Sequence, residues 1–396
     1  MAASQLATKI DDIARPFRIA IDEQILADLR LRLERTRWPA SVAGLASSWD
    51  AGTSHVYLRD LIEYWRTSFD WRAQERALNR FAHHTISLGE TIVHFLHAAG
   101  RGSSPLPLVL THGFPDSFAR FLKLIPLLTD PADPRDAFDV VVPSLPGFAF
   151  SSAPDRKSDL FHVADRWHDL MIALGYSRYG AHGGDWGSFV TEHLARSHGD
   201  AVVGIHLTDV PYWHALRRPD ETTHAEAKYL DTIAAFQASE GAYAMIQGSR
   251  PQSLSIALDD SPAGLAAWLV QFFERWSDCD GDIERRFSKD ELLVNVMLYW
   301  VTRSIGTSFE PYHAVMSAKA PRWIAEQVKQ WLGATKKVPA GFAMFPKDLS
   351  HPPKEWAERF FDVARWTEMP RGGHFGAHEE PELLAEEIRA FFRPLR

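Results

Sequence analysis

The residues whose types and order along the chain indicate catalysis are Asp185, Asp348 and His374. Asp185 lies in Gly-Gly-Asp-Trp-Gly at 183–187, between an apolar run and a segment with helical character. This is the context of a nucleophile elbow, Gly-x-nucleophile-x-Gly, in which small flanking residues permit a strained turn from a strand into a helix. Because an aspartate stands where an esterase has serine, the pattern predicts a carboxylate nucleophile.

Asp348 and His374 each follow a later apolar run. Asp348 comes soon after Gly341–Phe345, and His374 lies in Gly-Gly-His-Phe beyond Phe361–Trp366. Both residues are therefore predicted at the carboxyl ends of strands, and the order nucleophile, acid, histidine is the one expected in α/β-hydrolases. We predict that His374 is the base and that Asp348 orients its imidazole.

A carboxylate nucleophile limits the chemistry that the protein can perform. It displaces a leaving group at an alkyl carbon and forms an alkyl ester, which water can cleave at the carbonyl carbon once a histidine has deprotonated it. A serine would instead form an ether that water does not cleave. Asp185 therefore indicates substitution at a saturated carbon, as in an epoxide or an alkyl halide.

A second loop is predicted to stabilise the charge that develops when the ester is hydrolysed. His-Gly-Phe-Pro at 112–115 follows the first apolar run of the hydrolase region. Glycine lets the backbone approach a ligand closely, and the Phe114 N–H can pair with the Trp186 N–H as an oxyanion hole.

These residues require a sheet that brings their strand ends to one edge. From residue 105 onward, short apolar runs alternate with helical segments, which predicts parallel strands covered by helices on both faces. The predicted fold class is therefore α/β, an α/β-hydrolase fold with a mostly parallel sheet, a helical lid and an N-terminal helical arm. The predicted strands are Leu106–Leu110, Val140–Val142, Tyr179–His182, Val202–Leu207, Gly341–Phe345 and Phe361–Trp366.

The predicted sheet is preceded by an arm and interrupted by an insertion. We place the arm at 1–100, the hydrolase core at 101–210 and 336–396, and the lid at 211–335, where no strand–helix rhythm is present. In the arm, Asp22 is expected to cap a helix that ends at Trp38-Pro39. The apolar stripe of that helix is predicted to be Ile25, Leu26, Leu29 and Leu33.

Within the arm, Val56–Phe69 predicts a second helix and Thr91–His97 a strand. At the other end of the chain, Pro381–Phe392 predicts a closing amphipathic helix.

Composition excludes several classes of partner. The net charge of −8 over 396 residues argues against nucleic acid as a partner. No uncharged apolar run approaches the about 20 residues that span a bilayer, and Met1–Arg15 lacks the apolar core of a signal peptide. Cys279 is the single cysteine, which excludes intramolecular disulfides. We expect a soluble cytoplasmic protein with no membrane partner.

Motifs for serine esterases, zinc and dinucleotides are missing from the sequence. The elbow has no serine, and neither His-Glu-x-x-His nor Gly-x-Gly-x-x-Gly occurs. We therefore expect no cofactor and no metal. The 14 tryptophans and 24 phenylalanines suggest that part of the aromatic content lines an apolar substrate cavity.

Further segments resemble the epoxide hydrolases of the microsomal type, and the resemblance covers nearly the whole chain. They are Arg-Thr-Arg-Trp-Pro at 35–39, Tyr-Trp-Arg at 64–66, Asp-Trp-Arg at 70–72, Pro-Ser-Leu-Pro-Gly-Phe at 143–148 and the elbow itself. The resemblance implies that Asp185 is the nucleophile, His374 the base and Asp348 its acid.

The resemblance also implies that two lid tyrosines hold the epoxide oxygen, and their positions here are Tyr243 and Tyr312. A phenol suits that role, because it can hydrogen-bond the ring oxygen and protonate the alkoxide. The sequence departs from the family at Glu310, where relatives often have a basic residue, and at Asp116, which replaces a more usual glycine.

These observations predict an epoxide hydrolase that forms a vicinal diol through an ester on Asp185. The substrate is expected to be an apolar small-molecule epoxide, and family similarity suggests a homodimer. Two alternatives stay open: a haloalkane dehalogenase, which would need N–H donors for a departing halide, and a non-catalytic binding protein on a hydrolase scaffold.

Overall fold

One mixed sheet carries the elements that position the predicted site. The computed structural model describes residues 13–40, 44–153, 160–216, 219–316 and 338–396. Within these ranges the strands are β1 (Arg15–Phe17), β2 (Ala82–Leu88), β3 (Thr91–Ala98), β4 (Leu106–Thr111), β5 (Phe138–Pro143), β6 (Tyr179–Gly183), β7 (Val202–Leu207), β8 (Pro339–Met344) and β9 (Asp362–Glu368).

The strands lie side by side in the order β1-β2-β3-β5-β4-β6-β7-β8-β9. Pairing is antiparallel from β1 to β5 along this order and parallel from β5 to β9. Because β4 and β6 to β9 run in one direction, their carboxyl ends meet at one edge, where ligands bind in such folds.

The predicted strands of the parallel part are confirmed, each within two residues at either end. Every residue of β5 and β6 is buried, as expected for short apolar runs covered on both faces. The α/β-hydrolase class predicted from the sequence is confirmed.

Two strands of the antiparallel part were not predicted, β1 and β2. In β2 the apolar alternation is broken by the adjacent residues His83 and His84, both of which are buried. His83 Nδ1 lies 2.9 Å from His94 Nε2 on the neighbouring strand. Because this contact gives the buried His83 imidazole a partner inside the protein, a polar residue occupies a buried strand, which a search for apolar runs does not detect.

The N-terminal arm contributes the helices α1 (Glu23–Glu34), α2 (His55–Thr67) and α3 (Trp71–Leu78). The predicted cap is present, since the Asp22 carboxylate accepts the Gln24 N–H at 2.8 Å. The predicted end at Trp38-Pro39 is wrong, because α1 stops at Glu34. Ile25 is also misassigned: 38% of it is exposed.

The remaining helices follow in chain order. They are α4 (Leu124–Thr129), α5 (Leu160–Ala173), α6 (Trp186–Ser197), α7 (His224–Ser239), α8 (Ala242–Ser249), α9 (Pro251–Asp260), α10 (Pro262–Arg275), α11 (Lys289–Thr302), α12 (Glu310–Met316), α13 (Lys354–Glu358), α14 (Gly376–Glu379) and α15 (Pro381–Phe392). The closing helix α15 has the predicted bounds. Among the described residues, no helix is both long and apolar enough to cross a membrane.

Helices α7 to α12 lie between β7 and β8 in the chain, where the lid was predicted. In the described part of that insertion, up to residue 316, every element of regular secondary structure is an α-helix or a 3₁₀-helix. Residues 317–337, which include the end of the predicted lid, lie outside the described residues. The boundaries of the four predicted segments stay a prediction.

The arm packs against the insertion. Both oxygens of Asp290, in the first turn of α11, accept hydrogen bonds from the arm: from Tyr64 Oη at 2.8 Å and from Gln74 Nε2 at 2.9 Å. A more exposed ion pair joins Arg32 of α1 to Asp260 at the end of α9 at 2.8 Å. The arm therefore supports the helices that cover the carboxyl edge of the sheet.

Candidate active site

Asp185 occupies the strained turn between β6 and α6, as the elbow motif predicts. Its backbone has φ 58° and ψ −129°, a conformation that a residue with a side chain adopts only when its surroundings enforce it. The flanking glycines make room for the turn: a Cβ on Gly183 would lie 2.2 Å from Gly187 O, and one on Gly187 would lie 2.0 Å from Thr111 O. The turn that these glycines permit places the Asp185 carboxylate at the edge of the sheet.

The two oxygens of the Asp185 carboxylate have different neighbours. Oδ1 accepts the Phe114 N–H at 2.9 Å, while Oδ2 lies 3.5 Å from His374 Nε2. Gly113 permits this approach, because a Cβ there would lie 2.2 Å from Oδ1. Trp186, the predicted second N–H donor, is the first residue of α6 and directly follows the nucleophile position.

His374 and Asp348 form a buried pair beside this carboxylate. His374 Nδ1 donates to Asp348 Oδ1 at 2.8 Å, and less than a tenth of either residue is exposed. Burial alone would lower the pKa of His374, but the charge of Asp348 and hydrogen bonds to Asp185 and Asp348 raise it to about 10. Burial opposes ionisation of Asp348, yet the His374 charge holds the pKa of Asp348 below its usual value.

Glu379 fastens the loop that carries His374, and sequence reasoning missed it. Its carboxylate accepts the N–H groups of the two residues that flank the histidine, Gly373 at 3.1 Å and Phe375 at 3.0 Å. The N–H of His374 itself donates to Trp276 O at 2.8 Å. The histidine backbone is therefore held on both sides.

A buried ion pair links the His374 loop to the loop of Phe114. Arg120 Nη1 donates to Asp116 Oδ2 at 2.6 Å, and Arg120 Nη2 donates to His374 O. Asp116 Oδ1 in turn accepts the Gly113 N–H at 3.1 Å. Asp116, the departure from the family pattern, thus holds its own loop through the Gly113 N–H and connects that loop to His374 through Arg120. Sequence reasoning missed Arg120, although a charged residue within the apolar stretch Phe118–Phe121 could have indicated a buried ion pair.

Asp209 is a further carboxylate at this edge that sequence reasoning missed. It follows β7, and its Oδ1 accepts the backbone N–H of Asp185 at 3.1 Å. Its Oδ2 lies 2.8 Å from Ser188 Oγ. Burial, with a contribution from the Asp348 charge, raises the pKa of Asp209 to about 7. A Thr-Asp pair directly after a predicted strand was the signal for it.

The two lid tyrosines lie over the nucleophile, Tyr243 on α8 and Tyr312 on α12. Their ring centroids are 5.9 Å apart, and the Phe114 ring lies 6.5 Å from the first and 5.7 Å from the second. Tyr312 also contacts the Trp186 ring at 4.9 Å. Removal from solvent and then neighbouring charge, including that of Asp185, raise the pKa of both phenols, so both keep their protons.

The structure therefore brings the seven residues singled out from the sequence into one site. Glu310, the other departure from the family pattern, is exposed at the start of α12. In the described ranges, no group of three or more His, Cys, Asp or Glu side chains could hold a metal ion.

The sheet topology and the position of Asp185 define an enzyme of the α/β-hydrolase class. Residues 107–234 match the family model "alpha/beta hydrolase fold", and residues 14–121 match "Epoxide hydrolase N terminus". The likeness thus begins in the arm and continues into the core.

Similar proteins extend the likeness to almost the whole chain. An inferred epoxide hydrolase of Stigmatella aurantiaca is 40% identical over 96% of this chain and 85% of its own length. Epoxide hydrolase 1 of Sus scrofa is 34% identical over 98% of this chain and 90% of its own. The solved Aspergillus niger epoxide hydrolase superposes with a TM-score of 0.83 at 29% identity, covering 97% of each chain.

Juvenile hormone epoxide hydrolase from the silkworm Bombyx mori also superposes with a TM-score of 0.83, at 27% identity, over 97% of this chain and 94% of its own. The chain belongs to the epoxide hydrolase family, and the microsomal-type resemblance drawn from the sequence is confirmed. The sequence alone left three functions open: epoxide hydrolase, haloalkane dehalogenase and non-catalytic binding protein. The similar proteins confirm the first of them.

Proposed function

We propose that this epoxide hydrolase converts an epoxide and water into a vicinal diol in two steps, beginning with attack by Asp185 Oδ2 on a ring carbon. The two oxygens of the carboxylate support this division of roles. Oδ1 is engaged by the Phe114 N–H at 2.9 Å, whereas Oδ2 is directed toward His374. The C–O bond of the epoxide breaks as the new ester bond forms.

Tyr243 and Tyr312 receive the oxygen that leaves the ring carbon. Both phenols are protonated, and their rings lie beside Phe114 and meet edge to face. One phenol transfers its proton to the alkoxide as it forms, while the other donates a hydrogen bond. A tyrosinate and a hydroxyalkyl ester of Asp185 result.

Hydrolysis of the ester is assigned to His374. The hydrogen bond to the Asp185 carboxylate is one of the causes that hold the pKa of His374 high. Esterification replaces that carboxylate with a neutral ester and lowers the pKa of His374, so the imidazole releases its proton to solvent and regains it when the carboxylate is re-formed. That imidazole takes a proton from water, and the hydroxide attacks Cγ. The oxyanion forms on Oδ1, at the Phe114 N–H and the proposed Trp186 N–H.

Collapse of this intermediate breaks the bond between Cγ and Oδ2. The leaving alkoxide takes the proton from His374, and the proton on the re-formed carboxyl returns to the tyrosinate. One diol oxygen therefore comes from Asp185, and the oxygen of water remains in the enzyme. No metal or cofactor takes part in this scheme.

The surroundings of the tyrosines favour an apolar epoxide. Tyr243 contacts the ring of Phe272 at 5.0 Å and that of Trp276 at 5.3 Å, and Trp276 lies 5.4 Å from the His374 ring. Aromatic walls of this kind bind apolar substituents. Initial rates on aromatic, aliphatic and terpenoid epoxides would rank the substituents.

The observation that carries the proposal is the position of Asp185 Oδ2, and oxygen transfer tests it. A single turnover with enzyme in excess is run in water enriched in heavy oxygen, and the peptide containing Asp185 is analysed by mass spectrometry. Label is expected in that peptide, with none in the peptide containing Asp348. Label in the first-turnover diol and none in the enzyme would refute the covalent step.

The cytoplasmic location and the homodimer stay proposals that rest on composition and on family similarity. Cell fractionation tests the location. Sedimentation of the purified protein tests the dimer.

A further inference from the structure

Ser188 makes two short contacts that compete for one hydrogen. Its buried Oγ lies 2.7 Å from the backbone oxygen of Asp185 and 2.8 Å from Asp209 Oδ2. A serine hydroxyl has a single hydrogen to donate, and a carbonyl oxygen can only accept. If the carboxyl were ionised, one of the two contacts would place two lone-pair oxygens against each other.

Both contacts become hydrogen bonds when Asp209 carries a proton. The carboxyl then donates from Oδ2 to Ser188 Oγ, and the hydroxyl donates to Asp185 O. We propose that Asp209 is a neutral positioning residue of the nucleophile elbow, protonated in the working enzyme. This inference rests on the proposed role of Asp185 as the nucleophile.

Burial and the neighbouring carboxylates favour the neutral form of Asp209, and the His374 charge opposes it. The charged groups that face it are Asp185 and Asp348, both carboxylates, and His374, while Tyr229 faces it from the lid helix α7. Arg120 reaches the same region, because its Nη2 would lie 3.2 Å from a Cβ on Gly184. Arg120 is already paired with Asp116 at 2.6 Å, so a further ionised carboxyl would add an unpaired negative charge.

A neutral Asp209 clamps both backbone polar groups of the strained residue. Its Oδ1 accepts the Asp185 N–H at 3.1 Å. Its protonated Oδ2 donates to Ser188 Oγ, and the Ser188 hydroxyl donates in turn to the Asp185 carbonyl. The φ of 58° at Asp185 is thus held from both sides. Because Asp209 has no charge, the nucleophile is not repelled by the group that positions it.

The test compares Asp209→Asn with Asp209→Ala. Asparagine reproduces the neutral acid, since its amide can donate to Ser188 and its oxygen can accept the Asp185 N–H. Stopped-flow tryptophan fluorescence at pH 6 measures the alkylation rate. We expect the asparagine variant within about threefold of wild type and the alanine variant slower by about tenfold or more, as the loss of one or two hydrogen bonds implies.

The pH dependence adds a readout that a merely structural role would not move. The wild-type alkylation rate should fall as pH rises above about 7, where Asp209 ionises, and the asparagine variant should lack that fall. An asparagine variant closer in rate to the alanine variant than to wild type would mean that the carboxylate is the working form, which overturns the proposal.

Infrared difference spectroscopy tests the proton directly and needs no turnover. The spectrum of wild type minus Asp209→Asn at pH 6 should contain the carbonyl band of a protonated carboxylic acid, with a shift in D₂O. Asp28→Asn, which removes an exposed carboxylate of α1, is the matched control and should give no such band. No band for Asp209 would refute the proposal. Because this outcome is independent of oxygen transfer to Asp185, failure here and failure of the covalent mechanism are distinguishable.

Discussion

The buried pair of Arg120 and Asp116 gives a prediction whose size follows from the structure. We consider Arg120→Met, Asp116→Asn and the double variant. Both side chains are less than 5% exposed and their charged atoms are 2.6 Å apart. Arginine also donates to His374 O, so one side chain connects the base to the loop of the Phe114 amide.

Removal of Arg120 alone leaves the Asp116 charge buried without a cation. Breaking a buried pair in this way costs about 3–5 kcal/mol of unfolding free energy. The double variant removes both charges, so it should be more stable than the sum of the two single changes predicts. The interaction energy of such a contacting pair should be about 2 kcal/mol, at the upper part of the range for neighbours in one network.

Urea unfolding of the four proteins, followed by tryptophan fluorescence, gives this interaction energy from a double-mutant cycle. The matched control is the exposed pair of Arg101 and Asp130, where 78% and 55% of the side chains are accessible and the cycle should give a value indistinguishable from zero. Additive effects at Arg120 and Asp116, within about 0.5 kcal/mol, would refute the claim that the two charges act as one buried unit.

Three more outcomes follow from the site. His374→Gln should let the ester form but not hydrolyse, so intact mass should show an adduct; full turnover without one would remove His374 from the mechanism. Tyr243→Phe should slow alkylation more than ester hydrolysis, by about 10²-fold if general acid catalysis is lost, and unchanged fluorescence quenching would contradict this. Because the pKa of His374 is higher in the folded than in the unfolded protein, its protonation stabilises the fold fully below about pH 6.5. This stabilisation is lost progressively as pH rises toward about 10. The urea midpoint of wild type should therefore fall over that interval more than the midpoint of His374→Gln, and parallel curves would contradict the assignment.

The catalytic positions could be predicted from the sequence because they combine residue type with a place after an apolar run. Asp185 is also flanked by the glycines of the elbow motif, which the structure requires because a Cβ at Gly183 or Gly187 would clash with neighbouring backbone. Asp209 also follows an apolar run, but no glycine motif surrounds it. Its relation to Asp185 depends on a hydrogen bond across neighbouring strands, which residue spacing does not encode.

Other features could not be predicted because they depend on contacts between distant segments. Glu379 binds backbone N–H groups of the His374 loop, and the acceptors of such bonds have no periodic pattern. Ile25 was assigned to the buried stripe of α1 because it is apolar. The buried residues Leu26, Leu29 and Leu33 already form a face with helical spacing, and Ile25 lies at its margin.

The attachment of Asp290 to the arm has a consequence for chimaeric enzymes. Exchange of lids between relatives is a natural route to a new substrate range, yet here Tyr64 and Gln74 grip the first turn of α11 from outside the lid. A transplanted lid would lack the matching hydrogen-bond partners on the arm, and the aromatic residues around Tyr243 would shift with it. Arm and lid should therefore be exchanged together, although the first part of the hydrolase core separates them in the chain.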